Sequence, residues 1–396
     1  NCRLQGDSMK KKIMHIVQST GGVERYISML LKYMDDNLYE QILVCSQDYK
    51  KDNYIKLVDY FELIEMHREI NFKKDMYAII KIRKLIKKYK PDIIYLHSSK
   101  AGGIGRVANI GFKNKVIYNP HGWAFNMECS SIKKKLYVII EKILNIFTDR
   151  IIAISNSERE SAMNNKICSS DKIKVIFNGI DIEQYYINKK NFILSRKDLN
   201  IPENAYVIGM VGRISYQKAP DMFIKAAKLI EKEINNAYFI IVGDGDLRKE
   251  IEGMIREYGL EDCVLITGWV NNPLEYVQLF DQAMLLSRWE GFGLVLAEYM
   301  ISEKSIIATN VDAIPNLIQD GINGLLVDVD NPYQVLERTL ELYNNYELKS
   351  NTIENAKHKV RNDYDIKRVA KEHEILINNL LSFYNKKACK EESING

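Results

Sequence analysis

"AMLLSRWEGFGLVLAEYM", Ala283 to Met300, holds a short apolar run, a loop with two glycines, and a second apolar run of helical character. Strand, tight turn and helix in that order form the repeating half-unit of a parallel sheet covered by helices. The same alternation fills the chain on both sides. Upstream lie strand candidates "IMHIV" (13–17), "QILVCS" (41–46), "DIIYLH" (92–97), "KVIYNPH" (115–121), "RIIAIS" (150–155) and "KVIFNG" (174–179). Amphipathic stretches such as "ERYISMLLKYM" and "DMYAIIKIRKLIKKY" separate them. After a polar stretch around 186–204 the pattern restarts with "YVIGMVG" (206–212), "AYFIIVGDG" (237–245), "CVLITGWV" (263–270), "QAMLLS" (282–287), "SIIATN" (305–310) and "GLLVDV" (324–329).

The expected architecture is therefore α/β, with two Rossmann-like, doubly wound domains facing a central cleft. The boundaries are 9–190 for the N-terminal domain, 191–362 for the C-terminal one, and 363–385 for a helix crossing back to the first. Ligands of such sheets bind beyond the carboxyl ends of the strands. Residues 1–8, "NCRLQGDS", read as a tag remnant ahead of a start at Met9.

At 396 residues the chain is too long for one ordinary core. No window approaches eighteen uninterrupted apolar residues, so no spanning helix is expected. The six cysteines show no CxxC pairing, which fits free thiols in a reducing cytoplasm. The six histidines form no HExxH-like cluster, so no structural zinc site is expected. The net charge of +4 hides an asymmetry: residues 1–190 carry 33 Lys/Arg against 21 Asp/Glu, and the remainder carries 23 against 31. A basic half suits nucleic acid, an anionic membrane face or a phosphorylated substrate, or reflects only a lysine-rich proteome.

Glu290 and Glu298 stand seven residues apart in sequence. Eight steps of about 1.5 Å would separate them by roughly 12 Å if all were helical. Glycosidase carboxylates stand about 5–5.5 Å apart in retaining enzymes and about 6.5–9.5 Å in inverting ones. That spacing disfavours a hydrolytic pair and suits two acceptors for hydroxyls at the ends of an elongated, sugar-rich ligand.

"EGFGLVLAE" resembles the E-x7-E signature of retaining glycosyltransferases of family 4, which have the GT-B fold. Further segments agree in order: "TGGVERYISMLL" (20–31) is similar to that family's N-terminal glycine loop, and "NPHGWAF" (119–125) to its H-G step. "VIFNGID" (175–181) resembles its N-G-[IV]-D segment, "VGRISYQKAPD" (211–221) its G-R-x-x-x-x-K element, and "VGDGDLRKEIE" (242–252) a strand–turn–helix found in it. The resemblance covers about residues 13–330.

It implies a nucleotide sugar, UDP-linked by preference, as donor. Arg213 and Lys218 would neutralise the departing diphosphate electrostatically, with no metal and no other cofactor. The Gly293, Leu294 and Val295 amides would hold the same phosphates, and Glu298 the ribose hydroxyls. Glu290 and His121 would contact the transferred sugar at the reaction centre, and Gly21 and Gly22 would let backbone approach the diphosphate. "LHSSKAG" (96–102) is similar to members acting on lipid-linked acceptors, placing His97 and Lys100 toward acceptor or donor, or in a merely polar loop. His15, inside a strand, reads as core. Lys218-Ala219, Asp312-Ala313 and Asn316 depart from the family's Lys-Gly, glycine pair and glutamate, which leaves the donor sugar open. "DGD" (244–246) and "DVD" (328–330) end strands and read as turns, not metal sites.

The segment "KIRKLIKKYK" (81–90) has six basic residues, with Ile82, Leu85, Ile86 and Tyr89 on one helical face. With "SSIKKKLYVIIEKILNIF" (130–147) it reads either as core-facing helices with solvated lysines or as a surface for an anionic leaflet. The expected protein is a transferase of bacterial surface-glycan synthesis, such as capsule. It would take a glycan or polyprenyl-diphosphate-linked acceptor, bind no nucleic acid, and reside in the cytoplasm, peripherally at the inner face of the membrane. The rival readings are a nucleotide-sugar epimerase and a catalytically silent glycan- or lipid-binding protein.

Overall fold

The computed structural model describes residues 10–67, 69–127 and 130–392, with side chains through 382. The stretch 1–8 expected as a tag remnant, Cys2 and Cys129 lie outside the described residues, as does the side chain of Cys389. Two compact units result: residues through Asn178 together with those from Ile366 onward, and Gly179–Asp365. Residues 179–190, assigned above to the first domain, thus belong with the second. The Ile180 N–H donates to the Tyr364 carbonyl at 2.8 Å, and the Tyr185 hydroxyl accepts from Gln278 at 2.9 Å.

The first unit is built on a seven-stranded, wholly parallel sheet. Its strands are β1 (Lys11–Val17), β2 (Tyr39–Cys45), β3 (Tyr60–Leu63), β4 (Ile93–His97), β5 (Lys115–Asn119), β6 (Arg150–Ala153) and β7 (Ile173–Val175). The order is β3-β2-β1-β4-β5-β6-β7. Helices α1 (Gly22–Tyr33), α2 (Phe72–Tyr89), α3 (Ser99–Ala108), α4 (Ser131–Leu144) and α5 (Asn156–Asn164) alternate with the strands. β1, β2 and β4 are almost wholly buried, as continuous apolar runs require when both faces are covered. One face packs its Met14, Ile42 and Leu96 against α2 residues Ala78, Ile82 and Ile86. The other packs Ile13, Leu43 and Ile93 against Tyr26, Ile27 and Leu30 of α1.

The second unit repeats the plan with six parallel strands. They are β8 (Tyr206–Val211), β9 (Ala237–Val242), β10 (Val264–Ile266), β11 (Gln282–Leu285), β12 (Ser305–Thr309) and β13 (Leu325–Val327), in the order β10-β9-β8-β11-β12-β13. Its helices are α6 (Ile182–Lys189), α7 (Pro220–Glu233), α8 (Arg248–Tyr258), α9 (Pro273–Val277), α10 (Leu294–Ile301), α11 (Ile314–Leu317), α12 (Pro332–Asn344) and α13 (Tyr346–Asp363). The last helix, α14 (Ile366–Glu392), joins the first unit, burying Ile366, Val369, Ala370 and Ile377 beside α1.

Both sheets reverse direction of growth once, between β1 and β4 in the first and between β8 and β11 in the second. At such a reversal the loops leave to opposite sides and open a crevice beyond the strand ends. In the second unit two backbone approaches there are tight. A Cβ on Gly243 would lie 2.1 Å from the Gly212 carbonyl oxygen, and one on Gly245 2.4 Å from that of Ile214. The "DGD" turn is therefore glycine-bearing because it rests on the loop carrying Arg213.

Helix α4 is oriented unlike its neighbours. Its one buried residue is Glu141, while Ile132, Leu136, Ile139 and Ile143 are all at least half exposed. An ion pair anchors its inner side, beside the partly buried Tyr137 and Val138 that pack on the core. Glu141 accepts from Arg106 of α3 at 2.9 Å and from the Tyr118 hydroxyl of β5 at 2.9 Å, and the guanidinium lies over the Tyr118 ring. No helix among the described residues is long and apolar enough to cross a membrane.

Candidate functional site

In the second unit, the loops after β8 and β11 meet. Arg213 is exposed, and its guanidinium has no ion-pair partner among the described residues. Lys218, five residues on, pairs with the Glu290 carboxylate, and both side chains are largely buried. Glu290 also accepts from the Ser287 hydroxyl at 3.2 Å, and its backbone N–H donates to Asp312 at 3.0 Å. Asp312 has a left-handed backbone, φ 47°, at a position where glycine would relax more easily. Its carboxyl is pushed above the usual range, first by burial and then by the neighbouring Glu290 charge.

Gly293 caps α10 with φ 81°, and a Cβ there would sit 3.3 Å from Glu290 Cγ. The glycine thus serves the turn and the glutamate together. Leu294 and Val295 open α10, so their N–H groups have no intrahelical acceptor and stand at the positive end of the helix. Glu298, one turn into the helix, is buried.

Sequence reasoning missed the clamp that closes these loops. Arg288 reaches both carboxylate oxygens of Asp221, at 3.1 and 2.8 Å, and Asp330 at 2.9 Å, with its guanidinium over Tyr216. Its backbone N–H donates to the Gln217 carbonyl at 2.8 Å, and the Gln217 amide returns a bond to the Trp289 carbonyl at 3.1 Å. Asp330 and Asp244 are thereby held in ion pairs, the latter with Arg248 at 2.9 Å. Nothing in the spacing of a lone arginine marks it as a clamp. The signal was the presence of Asp221 within "VGRISYQKAPD".

In the first unit, Gly21 precedes α1 with φ 76°, ψ −122°, a conformation that disfavours side chains, and no atom lies within 4 Å of a Cβ built on Gly21 or Gly22. Open space and a helix start leave these amides free to face a ligand. His121 follows β5 with φ 51°, ahead of Gly122 at φ 109°. Its N–H donates to Asn119 Oδ1 at 3.0 Å. Buried Glu158 accepts from the Ile154 N–H at 2.8 Å and from Gly122, and burial pushes its carboxyl up to about 8.

The residues expected at the acceptor have other partners. His97 has no exposed surface; its Nδ1 is 3.2 Å from His121 Nε2 and its Nε2 is 3.1 Å from His15 Nδ1. It touches His121 on one side and His15 on the other. The Lys100 ammonium is bound to Asp75 at 2.6 Å and to the Glu69 carbonyl at 2.7 Å, which fastens α3 to α2. His15, expected as core, is fully buried but polar-bonded, with Nε2 at 2.9 Å from Gln41 Oε1. Burial pulls His15 down to about 4, His121 to about 3 and His97 well below its ordinary value. All three rings are therefore neutral near pH 7.

The chain thus presents two parallel Rossmann-like units, with a cationic loop after one strand and a glycine–glutamate loop after another. Comparison with known proteins identifies the class. The model "Glycosyltransferase Family 4" matches residues 20–184, and "Glycosyl transferases group 1" matches 191–359. A UDP-Gal:alpha-D-GlcNAc-diphosphoundecaprenol alpha-1,3-galactosyltransferase of Escherichia coli is 30% identical over 382 residues, covering 93% of this chain and 97% of that one. The capsular polysaccharide biosynthesis glycosyltransferase CapM of Staphylococcus aureus is 25% identical over 328 residues, covering 81% and 85%. The solved structure of Anabaena HepE with UDP and glucose superposes with TM-score 0.79 at 21% identity, over 93% of this chain and 99% of that one, which shows the shared fold. The chain belongs to glycosyltransferase family 4, and it is an enzyme of the GT-B fold.

Proposed function

We propose that this enzyme is a retaining, metal-independent transferase. It moves a hexose or N-acetylhexosamine from a UDP-sugar to a glycan or polyprenyl-diphosphate-linked acceptor in bacterial surface-polysaccharide synthesis. The carrying observation is the Lys218–Glu290 pair beside exposed Arg213, at the strand-order reversal and next to the free amides of α10. Two cations and a helix N-terminus stabilise charge developing on a departing diphosphate, the task a divalent ion would otherwise perform. Glu298 holds the ribose, Glu290 and His121 contact the sugar, and Gly21 and Gly22 approach the diphosphate by backbone. The acceptor hydroxyl enters on the face the diphosphate leaves, and the diphosphate takes its proton. Support for the substrates comes from the E. coli relative, whose name specifies UDP-Gal and a diphosphoundecaprenol-linked acceptor, and from the capsular S. aureus relative.

The test is nucleotide release from a panel of UDP-, GDP- and ADP-sugars with chelator present. Release that requires a lipid-diphosphate-linked glycan and yields product of retained anomeric configuration is expected. Sugar conversion without acceptor would show an epimerase instead, and silence across the panel a binding protein.

We also propose that the first unit rests on the inner face of the cell membrane through α4. The exposed Ile132, Leu136, Ile139 and Ile143 alternate with Lys133, Lys134, Lys135 and Lys142, so the helix offers an apolar face flanked by positive charge. Helix α2 divides differently: Ile82, Ile86 and Tyr89 are buried in the core, which leaves its lysines solvated, while Phe72, Tyr77 and Ile80 are exposed. Sedimentation with anionic liposomes should fall as salt rises, and Ile139→Glu should lower it further at fixed salt. Binding insensitive to both would remove the claim.

A further inference from the structure

We propose that Gln41, His15 and His97 form a one-directional hydrogen-bond chain that fixes the tautomer of His121. They act as positioning residues behind a group that meets the sugar. The inference rests on the reading above only in giving His121 a ligand.

The chain follows from strand register. His15 sits on β1 opposite Tyr95 of β4, and His97 lies two residues further along β4, on the same face of the sheet. His97 is opposite Asn119 of β5, and His121 lies two residues beyond it. Each histidine is thus one strand over and two residues on from the last, a diagonal spacing that long or aromatic side chains bridge. The rings of His15 and His97, and of His97 and His121, are near parallel, at 16° and 24°, with centroids 5.4 and 5.5 Å apart. That separation matches edge-to-edge nitrogen contacts of 3.1 and 3.2 Å, not face-to-face stacking.

Direction is set at the buried end. Gln41 is 4% exposed, and its amide nitrogen faces the Met34 sulfur at 3.5 Å, while its oxygen faces His15 Nε2 at 2.9 Å. Sulfur accepts weakly and donates nothing, so the amide N–H side belongs toward it and the oxygen toward the imidazole. His15 Nε2 must then carry the proton. A neutral ring has one N–H, so His15 Nδ1 is an acceptor and takes the proton of His97 Nε2. By the same step His97 Nδ1 accepts from His121 Nε2–H. His121 Nδ1 is left as a bare lone pair, and among the described residues no protein donor reaches it. One glutamine, buried three contacts away, decides that His121 accepts a hydroxyl hydrogen rather than offering one.

The outer walls do not compete for the chain. Tyr26 of α1 meets the His121 ring edge-on at 5.0 Å, yet its hydroxyl bonds to His373 Nε2 at 3.0 Å. His373 bonds through Nδ1 to the Val369 carbonyl at 2.8 Å, so its Nε2 is an acceptor, shared by the hydroxyls of Tyr26 and of Tyr95, the latter at 2.9 Å.

Long-range 15N–1H correlation spectra of the imidazoles, assigned by single-histidine substitutions, test this without donor or acceptor. His15, His97 and His121 should each be neutral at pH 7 with the proton on Nε2. A proton on Nδ1 in any of them, or a cationic His121, would overturn the chain. In the second arm, His97→Phe should mix the His121 tautomers and lower kcat about tenfold with donor KM little changed, and His97→Gln, which keeps a donor and an acceptor, should restore most of it. Wild-type turnover in the Phe variant, or equal loss in both, counts against the proposal. Should His97→Phe not fold, Gln41→Leu serves in its place, with the same tautomer mixing required. A failed nucleotide-release panel with intact tautomers would sink the transferase reading alone.

Discussion

Lys218→Ala lowers turnover at least about tenfold with the fold intact, and Glu290→Ala does the same, in steady-state assays of acceptor-dependent nucleotide release. The lysine loses its charge from the diphosphate position, and the glutamate loses its contact with the sugar. Because the two side chains are paired and mostly buried, each single change also strands the other partner. The double variant should therefore lose less than the product of the single losses. Gly293→Ala is a poor substitute for this test, since its Cβ would both strain the turn and crowd Glu290. Unchanged kinetics in either single variant would remove the assigned role.

Arg106→Leu destabilises the first unit by about 3–5 kcal/mol, because it leaves the buried Glu141 carboxylate without its cation. The double change Arg106→Leu/Glu141→Leu should recover most of that loss, since apolar replacement of a buried pair is close to neutral. Trp123 is fully buried in the first unit and reports on it once Trp269 and Trp289 are replaced by phenylalanine, so a urea midpoint by fluorescence gives the comparison. A shift in Arg106→Leu worth less than about 1 kcal/mol would show that α4 is held by other contacts.

Every strand that reads as a continuous apolar run formed; in central strands such as β1, β2 and β4, burial on both faces leaves little room for another pattern. β3 did not announce itself: "YFEL" is short, lies at the sheet edge, and leaves Tyr60 and Leu63 exposed, so it has no buried periodicity to detect. The loops holding Arg213, Lys218, Glu290 and Gly293 were legible because their order along the chain resembles a known family. Their cross-links were not. Arg288 with Asp221, and Asp312 with the Glu290 backbone, join positions 67 and 22 residues apart, a relation that no local window contains. His97 shows the same limit from the other side. "LHSSKAG" left its setting open between a ligand contact and a polar loop, and only the register of β4 with β1 and β5 shows it buried between His15 and His121. The apolar spacing of α2 and α4 looked alike in sequence, yet α2 buries Ile82 and Ile86 while α4 leaves Ile132, Ile139 and Ile143 exposed. The inner side of α4 carries a buried charged pair, Glu141 with Arg106.

The return of α14 to the first unit also governs the order in which the protein can be made. Ile366, Val369, Ala370 and Ile377 complete a core whose other members precede Asn178. A ribosome emitting this chain releases the whole second unit before the first has its closing helix. The amino-terminal sheet must therefore wait, with the core beside α1 only partly covered, until α14 emerges. A stop codon anywhere before residue 366 strands that half permanently, even though it falls in another part of the molecule.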